Sequence, residues 1–135
     1  MQTKYHNSDA IKSQKELFED LNSANTLSEV QTYIGKVLEL RGFSGQLVQN
    51  KVLLLTEELG ELAKAIRKYS PNASIDHQRL ENYDTVESEI ADVFIVLVSI
   101  ANKLNINIFE CLKGKEKKNI NRVWTINNEI RGTVK

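Results

Sequence analysis

The chain is short of everything that builds a disulfide-stapled, β-rich or membrane-spanning protein. Its single cysteine, Cys111, rules out an internal disulfide and argues against a cysteine-rich zinc site. One proline and six glycines, with no alternating apolar run leading into a turn, give no sign of a sheet. The longest uninterrupted apolar run, Val93–Val98, falls far short of the roughly 20 residues that span a bilayer. The stretch Met1–Asp20 is polar and charged, without an apolar signal core. Nor does charge of one sign prevail: eighteen Lys and Arg balance eighteen Asp and Glu, so no net field draws the protein to nucleic acid or an anionic membrane. These absences predict a cytoplasmic protein with neither of those partners.

What fills the 135 residues is helical periodicity, and the expectation is an all-α single domain over residues 1–135 with its core at about 26–124. Residues 1–10 read as loose, with Ser8-Asp9 capping a short helix through Ile11, Leu17, Phe18 and Leu21. Thr26 and Glu29 have the spacing of a capping box, and Gly42 is placed to end the helix they open. Ser44 is a candidate cap for a helix over about 45–69, with Val48, Val52, Leu55, Leu59, Leu62 and Ile66 as its apolar stripe. A polar connection, 70–83, holds the only proline and His77, which reads as a solvated loop histidine. Asp84 or Thr85 caps the next helix, about 86–104, which is apolar nearly all round and therefore predicts burial on more than one side, including a subunit interface. Asn107 and Glu110 open the last helix, and the tail beyond Trp124 carries no pattern.

Inside the two most apolar segments sit two acidic signatures, Glu57-Glu58-Leu59-Gly60-Glu61 and Glu89-Ile90-Ala91-Asp92. Carboxylates are seldom buried without a partner. Glu58 and Glu61 lie about 60° apart on a helix and flank the apolar stripe, whereas Glu57 lies about 100° from Glu58 and faces away. Glu89 and Asp92 repeat the same spacing. Two such pairs on adjacent helices would gather four carboxylates into one volume, which is strongly unfavourable without a cation. Oxygen ligands with no His or Cys among them select Mg²⁺, with Mn²⁺ as a possible substitute. Downstream, Lys115, Lys118, Asn119 and Arg122 are spaced to share one helical face, a complement for a polyphosphate. Together these suit metal-assisted hydrolysis of a phosphoanhydride.

With Lys115-x-x-Lys118-Asn119-x-x-Arg122 following the two acidic signatures, residues 30–124 resemble the MazG-like all-α nucleoside triphosphate pyrophosphohydrolases. The resemblance implies a four-helix-bundle-like core assembled as a homodimer or homotetramer. It also implies Mg²⁺-dependent conversion of a nucleoside triphosphate to the monophosphate and pyrophosphate, as in housekeeping or nucleotide-pool cleaning. Matched position by position, Glu58, Glu61, Glu89 and Asp92 would be the metal ligands. Glu57 would help position water, and Lys118 would stabilise charge on the phosphates. Lys115, Asn119 and Arg122 would complete the substrate contacts. Alternatives that stay open are a phosphoribosyl-ATP pyrophosphohydrolase, a relative of the dimeric dUTPases or dCTP pyrophosphatases, and a non-catalytic helical oligomer.

Overall fold

The computed structural model describes the backbone of residues 3–68, 70, 72, 74, 78, 84–126 and 129–131. Five helices follow one another: α1 (Thr3–Asp20), α2 (Leu27–Leu40), α3 (Val48–Arg67), α4 (Val86–Lys103) and α5 (Ile108–Asn119). A short antiparallel ribbon, β1 (Trp124–Ile126) paired with β2 (Glu129–Arg131), closes the chain. The ribbon departs from the purely helical expectation, and its signal was the Asn127-Asn128 pair between two short β-prone runs. Helix α1 starts at Thr3, so the Ser8-Asp9 pair lies within it and not at its start. Most of the 70–83 connection, His77 included, lies outside the described residues.

Local chemistry fixes most of the boundaries. Thr26 accepts the Glu29 N–H at 3.2 Å while the Glu29 carboxylate accepts the Thr26 N–H at 2.7 Å, closing the anticipated capping box on α2. Gly42 ends that helix at φ +84. Its N–H reaches the Glu39 carbonyl and the Phe43 N–H reaches the Leu38 carbonyl, the pairing of a Schellman turn. Asn105, at φ 54, makes the same turn after α4, where the Ile106 N–H returns to the Ala101 carbonyl at 2.8 Å. Asparagine tolerates this left-handed conformation better than most residues. α5 consequently leaves α4 at 97°, with Asn107 capping it through the Glu110 N–H.

Of the two caps offered for α4 one forms, whereas the expected Ser44 cap on α3 does not. Thr85 caps α4 by accepting the Ser88 N–H, so Asp84 stands outside the helix. α3 begins after Leu47 without a side-chain cap, because the turn through Phe43 and Gln46 separates Ser44 from the helix. The Ser44 carbonyl instead accepts the Lys103 ammonium at 3.0 Å.

α3 and α4 form the main packing pair, and α2 braces α4 and α5. Close approach of α2 to α4 depends on Gly35, where a Cβ would stand 3.1 Å from Asn102 Nδ2. The buried Gln31 clamps the α4–α5 turn: its Nε2 donates to the Ile106 carbonyl at 2.6 Å, and its Oε1 accepts the Ile108 N–H at 3.0 Å. Gln31→Leu fills similar space but leaves both groups unpaired. It should lower stability by about 2 kcal/mol, measurable by urea unfolding, and by more than Asn107→Ala, whose lost cap costs about 1 kcal/mol.

Candidate metal centre

The covered face of α3 takes in only half of the expected aliphatic stripe, since Val48, Leu55 and Leu62 are half-buried. Val52, Leu59 and Ile66 remain about half exposed, at 48, 49 and 52%, while Lys51 and Ala65 are buried and Glu58 is half-buried between them. Lys51, Glu58 and Ala65 follow a seven-residue spacing, which keeps them on one side of the helix. On α4 the same rotation applies. Glu89 is 5% exposed, whereas Ile90, Leu97 and Leu104 stand out at 54, 48 and 50%. Four consecutive apolar residues, Val52–Leu55, blur the helical period, so tertiary contacts decide which side is covered.

This rotation brings acids into the seam. Glu58, Glu89 and Asp92 each present a carboxylate oxygen, and the three oxygens lie within 4.8 Å of one another. Burial pushes the Glu58 carboxyl above its ordinary 4.5, and the neighbouring charges of Asp92, Glu89, Glu57 and Glu61 push it further. Glu89 is likewise raised, by burial first and then by Asp84, Asp92 and Glu61, with the Lys64 ammonium acting in the opposite direction. Like charges this close oppose one another's ionisation. The donor set fits a hard divalent cation: oxygen only, converging, and repulsive until a positive charge sits among the three.

The other candidate residues are placed differently. Glu61 is coupled electrostatically to the group but its Oε2 accepts the Lys64 ammonium at 3.1 Å. That is a half-exposed pair of a kind that contributes little. Glu57 is exposed to solvent. Lys115, Lys118 and Asn119 stand on α5, which packs chiefly on α2. Arg122 falls beyond the end of that helix, so the four do not share one helical face. Asn119 Nδ2 donates to Glu116 at 2.7 Å, and its Oδ1 is buried without a hydrogen-bond partner among the described residues.

The carboxylates Glu58 and Asp92 open onto a cavity of roughly 280 Å³ between α2, α3 and α4. Leu38, Phe43, Leu54, Ile95 and Val96 give it apolar walls, and Gln46, Lys51, Arg41 and Ser99 supply the remaining polar groups. None of the four basic-segment residues lines it. α3 and α4 must run antiparallel here, since Glu58 meets Asp92 while Lys51, two turns back, shares the cavity with Ser99, two turns on. Sequence reasoning missed Lys51 and Gln46. The available signal was the seven-residue step from Lys51 to Glu58, which puts a cation on the face of the acids.

A family model of the MazG nucleotide pyrophosphohydrolase domain matches residues 46–125, a span that takes in α3, α4, α5 and every clustered carboxylate. The chain belongs to the MazG nucleotide pyrophosphohydrolase family. It is also 38% identical over 84 residues to the uncharacterized protein YpjD of Bacillus subtilis (strain 168), covering 62% of this chain and 69% of that protein. No solved structure matches the chain. The MazG match begins at Gln46, yet the cavity wall includes Leu38, Arg41 and Phe43 from the segment before it.

A stability prediction follows from the raised carboxyls. Their folded-state values exceed the unfolded ones, so the native state binds protons more tightly. The contribution is fully present below the ordinary 4.5 and is lost as pH rises through the folded values. In metal-free protein, Glu58→Gln or Glu89→Gln should therefore raise Tm at pH 7.5, with the gain over wild type shrinking toward pH 4.5. Differential scanning calorimetry in the presence of a chelator reads both effects.

Proposed function

We propose that the chain hydrolyses a nucleoside triphosphate to the monophosphate and pyrophosphate in a Mg²⁺-dependent reaction, with Mn²⁺ as a substitute, as a single functional domain in the cytoplasm. The observation that carries this reading is the convergence of the Glu58, Glu89 and Asp92 oxygens within 4.8 Å in a chain of the MazG nucleotide pyrophosphohydrolase family. These three residues would hold the ion. Glu61, one turn from Glu58 on the same wall, would leave the half-exposed Lys64 ammonium to become a fourth ligand. A bound Mg²⁺ would neutralise phosphate oxygens and lower the pKa of a coordinated water. Glu57, exposed beside the cluster, would orient the attacking water and accept its proton as the bond between the first and second phosphates breaks and pyrophosphate leaves.

Assembly enters the proposal through two exposed aliphatic rows. Val52, Leu59 and Ile66 on α3, and Ile90 and Leu97 on α4 with Leu104 just past its end, repeat every seven residues, the spacing of a helix-packing seam. Each row lies about 100° around its helix from Glu58 or Glu89. Because the helices are antiparallel, both rows emerge on the same side. A patch of this kind marks an interaction surface, and we assign it to the homodimer or homotetramer contact. Lys115, Lys118, Asn119 and Arg122, absent from the cavity of their own chain, would then meet the phosphates bound by a second copy.

A panel of nucleoside triphosphates assayed with Mg²⁺ for monophosphate and pyrophosphate tests the activity, and phosphoribosyl-ATP, dUTP and dCTP in the panel test the related chemistries. Release of no pyrophosphate from any of them would leave only a non-catalytic helical oligomer. Glu58→Gln, Glu89→Gln and Asp92→Asn should each lower Mg²⁺ affinity and turnover by about a hundredfold. Glu57→Gln should lower turnover while leaving Mg²⁺ affinity, measured by calorimetry, within about twofold of wild type. Equal loss of affinity in Glu57→Gln would make that residue a ligand. For the assembly, Leu59→Glu with Leu97→Glu should give a monomer by light scattering. Mixing Glu58→Gln with Lys118→Ala protein should restore part of the activity that each lacks alone.

A further inference from the structure

Lys51 is the only buried Lys or Arg among the described residues, at 5% exposure. Its ammonium has three donors and no acceptor, and its hydrogen bond goes to Gln46 Oε1 at 3.5 Å, the limit of such a contact. No carboxylate stands at ion-pair distance from it among the described residues. Burial works against its charge, as does the neighbouring Lys103 ammonium. A buried cation without a counter-group is costly, and here it lines the same cavity as the clustered acids.

Two turns of α3, about 10.5 Å of rise, separate Lys51 from Glu58 on one face. That is comparable to the reach of a nucleoside from its first phosphate to its base edge. The intervening walls are Phe43, Leu38, Leu54, Ile95 and Val96, which suit a flat, weakly polar ring and not a phosphate tail. We infer that this cavity holds the nucleobase of the substrate, and that Lys51 and Gln46 read a carbonyl oxygen on its edge. The inference rests on the triphosphate reading of the carboxylate site and adds the class of base.

Uracil, thymine and guanine offer such an oxygen, whereas adenine presents an amino donor in its place. An ammonium facing that amino group would have donor against donor and stay unpaired. Sites built around a buried hydrogen-bonding group discriminate strongly against a ligand that cannot complete the bond. Lys51 is therefore a specificity-determining residue, and the Gln46 side chain steadies it from the other side.

The test compares full-length wild type, Lys51→Met and Gln46→Leu on UTP, GTP and ATP with Mg²⁺. In parallel, metal-free UMP and AMP are titrated by calorimetry. Wild type should favour UTP and GTP over ATP by about tenfold or more in kcat/KM. Lys51→Met should shrink that preference to about threefold or less, mainly through KM, with Gln46→Leu shifting it in the same direction should Lys51→Met fail to fold. Wild type that treats all three alike would overturn the inference. So would a Lys51→Met loss shared equally by all three, since the ammonium would then serve a phosphate. If no triphosphate is turned over, the proposed activity fails, and the titrations still decide this point. UMP bound about tenfold more tightly than AMP by wild type and not by the variant supports base reading, and equal affinity in wild type refutes it.

Discussion

Mutual repulsion among three carboxylates in a packed seam is the condition that the rest of the molecule has to meet. Glu58, Glu89 and Asp92 cannot move apart, because α3 and α4 carry the principal packing of the fold. A small residue lets the seam close on the α3 side, where Ala65 is buried seven residues beyond Glu58. Glu89 sits in the first turn of α4, where the positive end of the helix dipole favours its charge. The seam is thus held from outside the cluster, by helix ends and by α2, and not by anything the acids gain from one another.

α2 supplies much of that external support. Gly35 lets it approach Asn102, whose amide donates to the Gln31 carbonyl at 3.1 Å. The Gln31 side chain at the same level fastens the start of α5. Asn107 adds a contact to Ser28 at 3.2 Å. Two turns of α2, from Ser28 to Gly35, therefore fix both the far end of α4 and the direction in which α5 departs. The cavity beside the acids inherits its shape from the next turns of the same helix, through Leu38 and the Schellman turn at Gly42 and Phe43.

Much of this was legible in the sequence where the determinants are local. The Thr26–Glu29 box, the Gly42 stop and the Asn107 cap each depend on side chains within a few residues. The acidic spacings were legible for the same reason, since residues three apart on one helix share a flank whatever surrounds them. What stayed hidden depends on contacts distant in sequence. The covered side of α3 is set by α4 and α2, and a stretch as uniformly apolar as Val52–Leu55 leaves the choice open. Nothing in the local sequence sets Lys51 apart, and it is the neighbouring helices that enclose it. Glu61 and Glu58 looked equivalent until Lys64 drew one of them outward.

α3 and α4 each have acids on one flank and an aliphatic row on the other. Two stiff rods joined along a seam behave as a caliper: drawing the jaws together on one side changes the angle presented on the other. A shift that drew Glu58 closer to Glu89 and Asp92 would therefore change the spacing between Leu59 and Leu97 as well.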